Sequence, residues 1–161
     1  MAVIFTWPLT NMFLYQSFWS QWGLSGACAI TAYSGAQPTA AQITSSYNAY
    51  SGQALIHWTG ATWIQPTSPN SASETQQFMT LNVPTSKVAF VGGTAQWAIL
   101  WGPTPAVTEA AVKTSALPST IFYVVPVTDN AGKGVVKMTS TALALGSSYQ
   151  PSDVTIRVGL V

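Results

Sequence analysis

The chain reads as mainly β: an antiparallel β-sandwich or jelly-roll-like domain with one N-terminal aromatic helix. Three observations predict this. From Ala27 onward, short apolar runs rich in β-branched and aromatic residues alternate with Gly, Pro, Asn and Ser at fairly regular intervals, the pattern of a many-stranded fold. Before that, Tyr15, Phe18, Trp19 and Trp22 follow the i, i+3, i+4, i+7 spacing of one helix face. At 161 residues the chain suits one ordinary domain with a core of its own plus a terminal arm. The expected division is an anchoring arm and helix over residues 1–23 and a β-sandwich over 24–161.

Thr10 or Asn11 can cap the start of the helix and Gly23 can stop it. Met12 and Phe13 lie off the main stripe, so one core contact would leave rings in water. Phe5, Trp7, Phe13, Tyr15, Phe18, Trp19 and Trp22 are therefore expected to dock on a neighbouring subunit. The segment lacks a basic n-region, and Pro8, Asn11, Gln16, Ser17 and Gln21 interrupt it, so it is read as retained rather than as a cleaved signal. Val88 to Trp101 is too short to span a membrane and contains Gly92 and Gly93.

The expected strands are Ala27–Tyr33, Gln53–Thr59, Phe78–Val83, Val88–Val91, Thr94–Trp101, Thr120–Val127, Gly134–Thr139 and Val154–Val161. Eight short strands are what a sandwich or jelly roll uses. Asp129-Asn130-Ala131-Gly132 predicts a hairpin turn, with the glycine at positive φ, and Gly92-Gly93 predicts another. Along Gln96–Trp101 the bulky Trp97, Ile99 and Trp101 share one face, expected to be the core face, while Ala98 looks away. Residues 34–51 stay unassigned, and residues 65–77 read as an exposed loop. Thr104–Leu117 is open between a short helix and a bulged connection.

Charge is the most telling deficit. Only 6% of residues are Asp, Glu, Lys or Arg, against about a quarter in ordinary soluble domains, and none precedes Glu74. Such a surface lacks the like charge that keeps free proteins apart, and an obligate interface that covers it resolves the difficulty. The alternative is a neutral exterior rich in Ser, Thr and Gln. Lys87, Lys113, Lys133, Lys137 and Arg157 are scattered and form no basic stripe, which argues against nucleic acid as a partner. One cysteine, Cys28, excludes an intrachain disulfide framework and a multi-cysteine zinc site.

Residues for catalysis are correspondingly sparse. Gly23-Leu24-Ser25-Gly26-Ala27 misses the last glycine of a nucleophile elbow and follows a predicted helix where the elbow needs a strand. His57, the sole imidazole, sits in the strand-like Leu55-Ile56-His57-Trp58 and is expected to be a hydrogen-bonded strand histidine. Glu74, Glu109, Asp129 and Asp153 offer no pair set by spacing, and Gly132-Lys133-Gly134 lacks the rest of a phosphate loop. No catalytic residue, cofactor or metal ligand is assigned. Trp58, Trp63, Trp97 and Trp101 are read as core or subunit contacts, with a sugar-stacking platform as the alternative.

The order of features resembles small virion structural proteins of tailed bacteriophages: an N-terminal helix, Ala29-Ile30-Thr31-Ala32-Tyr33-Ser34-Gly35-Ala36-Gln37-Pro38, Gly93-Thr94-Ala95-Gln96-Trp97-Ala98-Ile99-Leu100 and a C-terminal β region. The resemblance implies a non-enzymatic β-sandwich subunit of the tail or baseplate, or on the head as a decoration protein, assembled in the host cytoplasm. Its partners would be copies of itself and other virion proteins, without nucleic acid or membrane. The aromatic helix departs from those relatives, which carry charged positions there.

Overall fold

In a computed structural model of the chain, the described residues are 4–5, 28–39, 52–64, 76–102, 107–113 and 122–159. They form strands β1 (Ile4–Phe5), β2 (Cys28–Tyr33), β3 (Ala54–Ile64), β4 (Gln76–Asn82), β5 (Lys87–Val88), β6 (Gly93–Thr94), β7 (Trp97–Trp101), β8 (Phe122–Asp129), β9 (Val136–Met138), β10 (Ala142–Leu143), β11 (Ser148–Tyr149) and β12 (Asp153–Gly159). A short helix α1 (Glu109–Lys113) separates β7 from β8. The expected helix at 11–22 and the arm residues Trp7, Phe13, Tyr15, Phe18, Trp19 and Trp22 lie outside the described residues.

The protein is mainly β, and its principal strands belong to one sheet in the order β8-β7-β2-β3-β4-β12-β9. That sheet closes on itself because β9 also pairs with β8. Closure gives a barrel-like wall where two stacked sheets were expected, and it depends on a parallel contact, Val127 with Val136 and Asp129 with Met138. The turn that makes this contact corrects the expected hairpin. Asp129 Oδ1 accepts from the N–H groups of Ala131 (3.2 Å) and Gly132 (3.0 Å), an Asx turn as read from the sequence. The chain then reverses twice, so β9 pairs with β8 in parallel instead of antiparallel. Gly132 is absent from the positive-φ glycines, which are Gly35, Gly60 and Gly146. Its role is room, since a Cβ there would lie 2.5 Å from the Thr128 Cβ. Gly92-Gly93 likewise makes no hairpin turn: Gly93 belongs to β6 and pairs with Leu143 of β10.

One corner of the barrel falls at Gly60. Cys28 pairs with Ala61 but Ile30 with Trp58, so two residues of β3 oppose Ala29, and Gly60 takes φ of 74°. This is a bulge that lets β3 leave β2 and continue against β4, where Thr62 pairs with Asn82.

Alternation along the strands sorts the side chains into two clusters. Ile30, Ile56, Trp58, Leu81, Leu100, Tyr123, Val125, Val136, Met138, Val154 and Ile156 belong to one, the barrel interior. Ala29, Tyr33, Trp97, Ile99, Trp101 and Val124 point the other way and form a second cluster with Val107 and Val112. All five β7 residues are buried, so both of its faces are core. Trp97, Ile99 and Trp101 share a buried core face, as expected, and Ala98 looks the other way with Leu100, into the barrel interior. The two ribbons β6–β10 and β5–β11 add Ala89, Ala95 and Leu143 to the interior and hang on Leu55, whose carbonyl accepts from the N–H of Phe90 at 3.0 Å.

Candidate functional site

The only buried polar residues among those described are Thr31 and His57, and they touch. They are directly opposed on β2 and β3, on the outward face of the sheet. The Trp101 Nε1–H donates to Thr31 Oγ1 at 2.8 Å, and Thr31 Oγ1 lies 2.8 Å from His57 Nδ1. His57 Nε2 lies 3.1 Å from the Val107 carbonyl oxygen. The ends fix the direction of this chain of bonds. An indole N–H only donates and a carbonyl only accepts, so the Thr31 hydroxyl donates to Nδ1 and Nε2–H donates to Val107. The neutral Nε2–H tautomer alone satisfies every group.

Burial lowers the His57 pKa; the bond to Val107 and the nearby Glu109 act upward more weakly, and Lys87 acts downward. Above the site, Thr108 caps α1, its Oγ1 accepting from the Ala111 N–H at 3.2 Å. Glu109 pairs with Lys113 one turn later, and Lys113 Nζ sits 4.5 Å from the centre of the Phe90 ring. His57 thus ties segment 107–113 to the sheet. It is 1% exposed.

The remaining candidates are as firmly engaged. Trp58, Trp97 and Trp101 are each 0% exposed within the lone chain, which removes them as a sugar platform in this conformation, because a ring without an accessible face cannot stack on a ligand. Trp58 Nε1–H donates to the Tyr149 carbonyl (2.9 Å), Trp97 Nε1–H donates to the Ser34 carbonyl (3.2 Å), and the Trp97 ring stacks on Tyr33 at 4.3 Å. Trp63 lies on β3 opposite Leu81, with its side chain outside the described residues. Asp129 holds its turn and Asp153 accepts from the Thr155 hydroxyl at 2.7 Å. Of the arm, Phe5 is placed by its backbone in β1, opposite Tyr123 of β8.

The exterior presents neutral polar groups. Exposed positions include Gln53, Thr59, Thr62, Asn82, Thr85, Ser86, Thr94 and Gln96 along the strands and turns, and among the described residues Ile64, Val88 and Leu145 are the large apolar side chains left exposed. Among the described residues no helix is long and apolar enough to cross a membrane, and no group of three His, Cys, Asp or Glu side chains stands ready for a metal. No family model, curated protein or solved structure matches the chain.

Proposed function

We propose that this protein is a non-enzymatic structural subunit of a bacteriophage particle, of the tail or baseplate kind, that assembles with copies of itself and with other virion proteins. The observation that carries this reading is the charge-depleted exterior. The first 73 residues hold no Asp, Glu, Lys or Arg, and the exposed strand and turn positions are Thr, Ser, Asn and Gln in the main. A free protein with so little charge has little long-range repulsion to oppose association, and covering that surface with like subunits removes the difficulty. The closed His57 chain supports the same reading, because the sole imidazole is committed to holding the fold.

The test is the native mass of the purified full-length protein across a concentration series. A defined oligomer is expected. A monodisperse monomer persisting to millimolar concentration would overturn the proposal. In particles, removal of residues 1–22 is expected to abolish incorporation, and normal copy number with the truncated chain would refute the anchoring role of the arm.

A further inference from the structure

The barrel has a seam. β8 and β12 are joined only through the three residues of β9, which pairs with Val127–Asp129 on one side and with Asp153–Val154 on the other. Away from β9 the two strands share no partner among the described residues. On that side of β8 the backbone edge is taken by β1, two residues long, with Ile4 opposite Val124 and Phe5 opposite Tyr123. Among the described residues, no strand pairs with the corresponding edge of β12 over 156–159.

We propose that β1 is exchanged between copies: Ile4–Phe5 of one chain pairs with β8 of a second copy, in the register seen within the chain. The occupant is specified by the structure, since the segment that fits this edge is already seated on it. Residues 6–27 join β1 to β2. Even with the helix expected over 11–22, a link of that length reaches on the order of 50 Å, well beyond the roughly 15 Å radius of gyration of a domain this size.

Energetics do not favour the intrachain arrangement strongly. A two-residue strand contributes only a couple of backbone hydrogen bonds, and the same bonds form to either copy. What distinguishes the two is local concentration, which falls as the link between β1 and β2 lengthens and which a close-packed array of subunits matches. Strand addition to a free edge is a general mode of association, and exchange of an identical element adds contacts between copies without creating a new surface. The absence of Asp, Glu, Lys and Arg before Glu74 leaves no side-chain repulsion against a neighbour's arm.

This inference rests on the structural-subunit reading, and its test separates the two. In a Cys28→Ala background, chains carrying Ile4→Cys alone are mixed with chains carrying Val124→Cys alone, assembled, and oxidised. Opposed residues of an antiparallel pair lie within disulfide reach. A disulfide-linked dimer as the main product is expected. If the mixture yields no linked dimer, exchange is refuted, whether or not the Ile4→Cys, Val124→Cys double variant closes a bond within one chain. Should Val124→Cys fail to fold, a photoreactive benzoylphenylalanine at Phe5 leaves β8 intact. Adducts joining two chains at β8 are expected, and adducts confined to one chain, or none at β8, overturn the proposal. Native mass is read on the same samples, so an oligomer without interchain links refutes exchange while leaving the subunit reading standing.

Discussion

His57 lies between the Val107 carbonyl, which only accepts, and the Thr31 hydroxyl, which donates to the neutral ring. Burial penalises the charged ring, which is why the folded pKa lies below the ordinary 6.5. The sign follows from linkage: the unfolded chain takes up the proton first, so stability is full above about pH 6.5, falls as the pH drops below it, and levels off beneath the folded value. His57→Gln keeps a donor toward Val107 and cannot titrate. It should lose about 1–3 kcal/mol at pH 7.5, the usual cost of disturbing a buried hydrogen-bonded group, and the gap to wild type should narrow toward pH 5 in urea titrations. A gap that stays constant would show that His57 is not the group responsible. The run Leu55-Ile56-His57-Trp58 was enough to expect a hydrogen-bonded strand histidine. Its partners were not legible, because Thr31 and Val107 lie 26 and 50 residues away and only strand register brings them near. By the same logic Trp58→Ala should cost about 3–5 kcal/mol in chemical denaturation, the cost of truncating a buried aromatic, which an exposed sugar platform would not incur.

Among the elements, the long strands were readable and the short ones were not. β2, β3, β8 and β12 each carry enough alternation or β-branched density to announce themselves, whereas β5, β6, β10 and β11 are two residues long and hold no period at all. At β7 the face of Trp97, Ile99 and Trp101 was legible as core, whereas the burial of the opposite face, Ala98 and Leu100, was not, because small and large residues alternate there as on a half-exposed strand. Bulges were equally hidden, since Gly60 in Trp58-Thr59-Gly60-Ala61 reads as a strand end. Its φ is 74°, and a Cβ added there would meet only the Pro84 Cγ, at 3.9 Å, so the position is a clean measure of backbone cost. Gly60→Ala should therefore destabilise by about 1–2 kcal/mol, the penalty of the left-handed region for an L-residue, and Gly60→Asn by less. Equal losses for the two variants in urea denaturation would mean that packing, not φ, sets the cost.

For the whole molecule, closure of the sheet was beyond reach of the sequence because it hangs on the parallel β8–β9 contact, made by a double reversal within residues 130–135 that the turn signature alone does not specify. The chemistry of the surface, by contrast, was visible at once in the missing charges before Glu74. That feature carries a prediction distinct from oligomeric state itself. Ion pairs between exposed groups weaken as salt shortens the screening length to about 3 Å at 1 M, whereas apolar burial and backbone pairing do not. With a net charge of +1 and an exterior rich in Thr, Ser, Asn and Gln, the subunit contacts proposed above have few charges to screen. Sedimentation of the assembled protein between about 0.05 and 1 M sodium chloride should give an association constant that changes less than about threefold, well under the tenfold that about 1.4 kcal/mol represents. Dissociation on raising the salt would place the association on the few charged residues, Lys87, Lys133, Lys137 and Arg157 foremost, and would contradict an assembly held by neutral surfaces and shared strands.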